Sequence, residues 1–379
     1  MKKKIFFFGY FEDIGGKEIE VNLLVRFFEE KYLCTIFSLS FMSKKSVALD
    51  KLVNLNFTNI YIQILNDYLI IKILAFFSRF YNNFKKSLPY YVENTISKRV
   101  YNFDEIKIKL LKREILKVDY IFYCGTLDNK SLCEIIEFSN KHHKKMFIRI
   151  TGQIHSIGNF INTGILKKAN IILHSFSNAS ILMEYGLKKI IIIDQTTFCE
   201  QELLEIPIIE KENLTFGFLG RFSPEKGLME LLSFSKEANI KLLIGGCGPL
   251  KSQMLDLLNE NIEYIGEFKK NFIHDFFRKI DVLVIPSIEE SGPLVAIEAI
   301  AAGKLILSTD VGAMKERLRK SQNQFWFSID NFRSFKETLE SLMTLSKLQI
   351  VSIQRSNRQL YIENHSFSKL KESYLRLLD

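Results

Sequence analysis

A chain of 379 residues, 47% hydrophobic and 25% charged with only six prolines, has the composition of a folded protein and is long enough for two domains. That balance excludes a long disordered stretch, and five scattered cysteines without a C-x-x-C pair argue against a disulfide framework or a structural zinc site and fit a reducing cytoplasm. The net charge of +9 is uneven: residues 1–200 hold 29 Lys and Arg against 19 Asp and Glu, and the remainder sums to about −1. An anionic partner is therefore expected at the N-terminal half, as a membrane surface or a phosphate-bearing acceptor. Nucleic acid is not expected, because no reader motif or basic-aromatic stripe accompanies the charge.

Short apolar runs alternate with longer helical patterns, which predicts an α/β protein with parallel sheets. The run from Ile5 to Phe11 is short and meets Glu12 and Asp13 without a small-residue cleavage site, so it reads as a buried first strand rather than a signal peptide. First-half strands are expected at 4–9, 32–39, 58–63, 119–124, 145–151, 170–174 and 189–193, with a helix over 17–31. Gly15 and Gly16 fall between that first strand and that helix, where small residues let a substrate lie against the chain and the helix amides. The plainer reading of Gly15-Gly16 is a turn.

Between 65 and 118, Leu69, Ile70, Ile73, Leu74, Phe76, Phe77, Phe80, Tyr81 and Phe84 recur at helical spacing beside Lys72, Arg79, Lys85 and Lys86. Such a basic amphipathic helix either lies in a membrane interface or packs on the sheet with its Lys heads in water. No run approaches the ~18 apolar residues of a membrane span. Further on, His155 sits just past a predicted strand; His174 ends another, and His142 and His143 read as a solvated helix end.

The interval 195–213 has the least regular pattern, so the expected domains are 1–197 and 198–365, with a final helix over 366–379 crossing back to the first. Second-half strands are expected at 214–220, 240–245, 262–265, 281–285 and 304–308, and helices at 227–238, 249–260, 270–280 and 293–302. Two segments here carry chemistry. Gly217-Phe-Leu-Gly220-Arg221-Phe-Ser-Pro-Glu-Lys226-Gly227 offers two cations five residues apart, able to meet a diphosphate with a planar fork and a point charge. In Ile285-Pro-Ser-Ile-Glu289-Glu290-Ser-Gly292-Pro293-Leu294-Val-Ala-Ile-Glu298, Pro293 suits a helix start and Gly292 clears space for a phosphate at the helix amides. Glu290 and Glu298, up to ~12 Å apart at helical rise, can take hydroxyl hydrogen bonds at both ends of a ribose-to-hexose span. Taken singly, each pattern also fits solvated surface charges.

In order, G-x-L-G-R-x-x-x-x-K-G, Gly245-Gly-Cys-Gly248-Pro249, Tyr264-Ile-Gly266 and the E-x7-E around Gly292 span about 85 residues and resemble the donor site of the retaining glycosyltransferases of family 4. The resemblance implies the GT-B fold: two Rossmann-like, doubly wound parallel-sheet domains facing a cleft. It implies that Arg221 and Lys226 hold the donor diphosphate, that Glu298 contacts the ribose, and that Glu290 contacts the donor sugar. It places Gly220, Gly292, Pro293 and Leu294 in the donor site, Gly15 and Gly16 near the reacting centre, and His155 near the sugar. It also implies a metal-independent reaction with no cofactor: a nucleotide-sugar, UDP- or GDP-linked, gives its sugar to a glycan or lipid-linked acceptor in bacterial surface-polysaccharide synthesis. That work is expected in the cytoplasm, with peripheral membrane contact through the basic half. The chain departs from the family in reading Ile193-Asp-Gln-Thr-Thr-Phe198 for the usual Pro-Asn-Gly turn and Gly303-Lys304-Leu305 for Gly-x-Pro. The alternatives are a UDP-sugar 2-epimerase of the same architecture and a non-catalytic relative acting as a binding partner.

Overall fold

The computed structural model describes residues 2–53, 55–154, 161–267 and 272–379. These divide into two compact units: Met1–Leu173, Ala179–Ile193 and Ser373–Asp379 form the first, His174–Asn178 and Asp194–Glu372 the second.

The first unit is built on a parallel sheet ordered β3-β2-β1-β4-β5-β6-β7. Its strands are β1 (Lys4–Gly9), β2 (Leu33–Ser38), β3 (Leu55–Asn59), β4 (Tyr120–Gly125), β5 (Lys145–Ile150), β6 (Asn170–Leu173) and β7 (Ile190–Ile192). Helices cover both faces of such a sheet, so its central strands read as unbroken apolar runs. Phe6, Phe7 and Phe8 of β1 are all buried, and Phe7, Phe122 and Phe147 stack in series across β1, β4 and β5 at 5.2 and 4.8 Å. The strand expected at 58–63 ends instead at Asn59. Its side-chain oxygen accepts the Ile62 amide at 2.9 Å and starts the helix Ile60–Asp67, an N-cap that overrides the β-branched run behind it. Residues 373–379 pack on this unit: Tyr374 stacks on Phe27 at 5.4 Å, and Tyr120 donates to the Leu378 carbonyl at 2.9 Å.

The second unit carries a parallel sheet ordered β10-β9-β8-β11-β12-β13. It comprises β8 (Phe216–Arg221), β9 (Leu242–Cys247), β10 (Ile262–Gly266), β11 (Val282–Ile285), β12 (Leu305–Thr309) and β13 (Phe325–Phe327), the last too short to be foreseen. The helix expected over 249–260 runs only from Lys251 to Leu255. Asn259 stops it, because its side-chain oxygen accepts the amides of Asn261 and Ile262 and makes a turn. In each sheet the strand order reverses beside the first strand, between β1 and β4 and between β8 and β11. Ligands bind open parallel sheets outside the carboxyl ends of strands at such a reversal. The loops after β8 and β11 meet there.

Candidate functional site

The segment Gly217–Arg221 lies within β8, close to the strand expected at 214–220. Gly217 lies inside β8 because helix Phe272–Lys279 and Ile280 press on it: a Cβ there would sit 2.5 Å from Ile280 Cγ2. Gly220 faces Gly246, whose φ is +130° and whose absent Cβ would fall 1.9 Å from the Gly220 carbonyl. Arg221 closes the strand, pairs in register with Cys247, and holds its side chain exposed. A 3-10 turn, Pro224–Lys226, then leads to Gly227 and the helix Leu228–Glu237.

Gly227 is where the two loops touch. It has φ +64°, a left-handed conformation that favours glycine, and a Cβ would lie 2.0 Å from the Pro286 carbonyl oxygen. The amide of Ile288 donates to the Glu225 carbonyl at 2.9 Å. Lys226 Nζ donates to Glu290 Oε1 as an ion pair, and Ser287 Oγ also donates to that oxygen at 3.3 Å. On the other side Gly312, at φ +51°, leaves room for the Glu290 carbonyl, 2.3 Å from where its Cβ would be. So Lys226 and Glu290, 64 residues apart, are brought together at the strand ends. The Arg221 charge acts on Glu225, in the same loop as Lys226. The Glu225 carboxyl is held below the usual carboxylate range by the Ser223 hydroxyl, which outweighs partial burial, with the Lys226 and Arg221 cations adding to it.

Glu298 stands apart from that pair. It lies on the helix Leu294–Ala301, which buries Ala296 through Ala301. Its Oε1 accepts a hydrogen bond from Thr197 Oγ1 at 3.3 Å. Burial pushes its carboxyl up to about 8, against the small lowering effect of Thr197. At neutral pH the side chain is therefore largely protonated and can both donate and accept.

Gly292 clears space, but for a guanidinium: a Cβ there would lie 2.7 Å from Arg317 Nη2. Arg317 is buried; it donates to the Pro293 carbonyl at 2.7 Å, to Asp194 at 2.9 and 2.6 Å, and to Gln195 at 3.0 Å. Burial works to raise Asp194, yet Arg317 outweighs it and holds the carboxyl well below its ordinary value, with help from His365 and His174. Pro293 is the N-cap rather than the first turn, and Leu294, partly exposed, begins the helix. Asp194, Thr197 and Arg317 thus shape this site; the first two lie in the segment that departs from the family's turn, and Arg317 lies in no motif.

In the first unit, Gly15 caps the helix Gly16–Phe28 in an extended conformation that any residue adopts. Its missing side chain makes room for buried Glu18, 2.4 Å from the Cβ position, whose other oxygen accepts the Glu12 amide at 2.8 Å. Gly16 faces open space. His155 lies outside the described residues. His174 is buried in the second unit, and His142 and His143 end the helix Leu132–Lys141 exposed. Among the described residues, no three of His, Cys, Asp and Glu gather as a metal-ligand group.

Residues 200–358, which hold Arg221, Lys226, Glu290, Glu298 and Arg317 but not His174, Asp194, Thr197 or His365, match the family described as Glycosyl transferases group 1. The chain is 29% identical over 118 residues to an uncharacterized glycosyltransferase of Methanocaldococcus jannaschii, covering 29% of this chain and 30% of that one. It is 31% identical over 117 residues to the lipopolysaccharide 1,2-N-acetylglucosaminetransferase of Salmonella typhimurium, covering 26% and 31%. These alignments span about a third of each relative. Among solved structures, Anabaena HepE in complex with UDP superposes with a TM-score of 0.68 at 13% identity over 99% of both chains. A glycosyltransferase from Rickettsia africae gives 0.69 at 16%, covering 99% of this chain and 97% of that one. The two parallel-sheet units and these neighbours define a GT-B fold. Residues 200–358 are thus similar to the group 1 glycosyltransferases.

Proposed function

We propose that the protein transfers a sugar from a nucleotide diphosphate donor to a hydroxyl of a glycan or lipid-linked acceptor, with retained configuration and without a metal ion. The observation that carries this reading is the Lys226–Glu290 pair, a cation and an acid held at the carboxyl ends of β8 and β11 within the family-matched residues. Arg221 and Lys226 stabilise charge growing on the departing diphosphate, the task a divalent ion performs elsewhere. Glu290, released from Lys226 as the phosphate arrives, takes hydroxyls of the donor sugar, and Glu298 takes the ribose. The bond from the anomeric carbon to the diphosphate oxygen breaks, its electron pair leaving with the nucleotide. The acceptor oxygen bonds on the same face and yields its proton to the departing phosphate beside it. Retention rests on the resemblance to family 4.

The names of relatives support the substrate classes. One acts on lipopolysaccharide; another, 25% identical over 158 residues, is a Campylobacter jejuni N-acetylgalactosaminyltransferase acting on a diphospho-undecaprenol sugar. UDP is bound in the Anabaena neighbour, which makes UDP-sugars the first donors to try. Cytoplasmic action, in bacterial surface-polysaccharide assembly, is part of the proposal and suits five free cysteines.

The test incubates the purified chain with UDP- and GDP-sugars, with and without glycan acceptors, and follows nucleotide diphosphate release. Acceptor-dependent release, insensitive to EDTA and lowered at least about a hundredfold by Arg221→Ala at unchanged melting temperature, is expected. Isomerised free donor without an acceptor, or full activity in Arg221→Ala, contradicts it.

A further inference from the structure

The helix Leu69–Tyr81 was expected either to pack on the sheet or to lie in a membrane interface, and it covers very little. Only Ile71 and Ala75 are buried beneath it. Leu69, Ile70, Ile73, Phe76, Phe77, Phe80 and Tyr81 all point outward, at exposures reaching 70% for Leu69, 63% for Phe77 and Phe80, and 87% for Tyr81. At 3.6 residues per turn these seven fall within one arc of about 140° opposite the buried pair, and Lys72 and Arg79 flank it. The turn that follows adds exposed Phe84, with Arg79 over its ring at 5.1 Å, and then exposed Lys85 and Lys86.

We infer that this face seats the protein on an anionic lipid bilayer, the helix lying in the plane of the interface. A contiguous apolar face this large is uncommon on a water-facing surface and marks an interaction site. Charge selects the occupant: between Asp67 and Glu93 there is no acidic residue, Lys72 and Arg79 line one edge of the apolar stripe, and Lys85 and Lys86 follow its end. Apolar side chains in the acyl boundary with cations at headgroup level is the arrangement of an interfacial amphipathic helix. Thirteen residues span about 20 Å, less than the ~30 Å hydrocarbon core. The preceding helix, Ile60–Asp67, turns away by 113°, so the two do not form one continuous straight span. This partner is separate from the glycosyl-transfer reading, since vesicle binding requires neither donor nor acceptor.

The experiment mixes the full chain with vesicles of phosphatidylcholine alone or with phosphatidylglycerol, and measures co-sedimentation. Binding to the anionic vesicles, at least about tenfold stronger than to the neutral ones, is expected. Phe77→Ser with Phe80→Ser should weaken it at least about tenfold, and Lys72→Glu with Lys85→Glu by a similar factor, each at unchanged melting temperature. A Phe77→Trp reporter should shift to shorter wavelength on anionic vesicles, relative to the parent with Trp326 alone. The inference is overturned if the chain stays in the supernatant, if the serine variant binds as well as the parent, or if the parent is a dimer that the serine variant makes monomeric. Nucleotide binding measured on the same variants, expected unchanged, separates loss of the membrane seat from loss of the donor site.

Discussion

Lys226 and Glu290 form an ion pair across two loops that a glycine holds together, Gly227 allowing the first loop to press on the carbonyl of Pro286. Both side chains keep some solvent exposure, so the pair is poised to open rather than locked in the core. Its contribution to folding is therefore small, about 0.5–1 kcal/mol. A double-mutant cycle with Lys226→Ala and Glu290→Ala should return that coupling in urea denaturation. Turnover in each single variant should fall at least about a hundredfold. A coupling of several kcal/mol with intact turnover would mean a structural pair.

Glu298 makes the site pH-dependent. Its carboxyl, raised to about 8 by burial, holds a proton that the unfolded chain gives up above roughly pH 4.3. The folded state then binds more protons than the unfolded one across this window, so this residue's contribution to stability declines as pH rises from about 5 to 8. The loss is on the order of 4 kcal/mol by pH 8. Glu298→Gln should flatten that slope. If Glu298 accepts both ribose hydroxyls in the complex, binding favours the carboxylate and releases a proton. Nucleotide affinity should then rise between pH 7 and 8 in the parent and stay level in Glu298→Gln, as read by calorimetry in buffers of different ionisation enthalpy.

Backbone approach gives a sharper contrast. Gly227→Ala adds a Cβ 2.0 Å from a carbonyl oxygen at a left-handed position and should cost about 2–4 kcal/mol in denaturant unfolding. Gly16→Ala meets open space at the start of a helix, and its effect should stay within about 1 kcal/mol. A large drop in activity for Gly16→Ala at unchanged stability would fit a substrate passing there.

The strands were legible because parallel sheets bury both faces: the run Ile5–Phe8 could hardly be anything else, and β8, β11 and β12 read the same way. Boundaries were lost where one side chain decided them, as at Asn59 and Asn259. Lys226 and Glu290 were visible in sequence as charged residues in separate motifs, but nothing there showed that they pair. The reason for Gly292 was hidden as well. The group that fills its space is Arg317, whose own anchor, Asp194, lies 123 residues away. Contacts of that range leave no periodicity to read. The outward face of Leu69–Tyr81 was undecided for the same cause, because an amphipathic stripe does not say what covers it.

Arg317 should behave as a clamp on the loop before the helix Leu294–Ala301. Arg317→Leu leaves half-buried Asp194 without its guanidinium partner, and a loss of about 3 kcal/mol in unfolding free energy is expected. Asp194 is depressed in the fold, so its contribution is present above about pH 4 and fades as pH falls further. Asp194→Asn should therefore lower stability at pH 7 and make it less sensitive to acid. Equal stability of parent and Asp194→Asn at pH 7 would show that the pair contributes nothing.

Calorimetric titration of UDP and GDP into the parent chain and into Arg221→Ala with Lys226→Ala bears most directly on the donor site. The parent should bind one of the two nucleotides, and the double variant should bind it at least about a hundredfold more weakly, at an unchanged melting temperature. Undiminished affinity in the double variant would contradict the assignment of these two cations to the donor diphosphate.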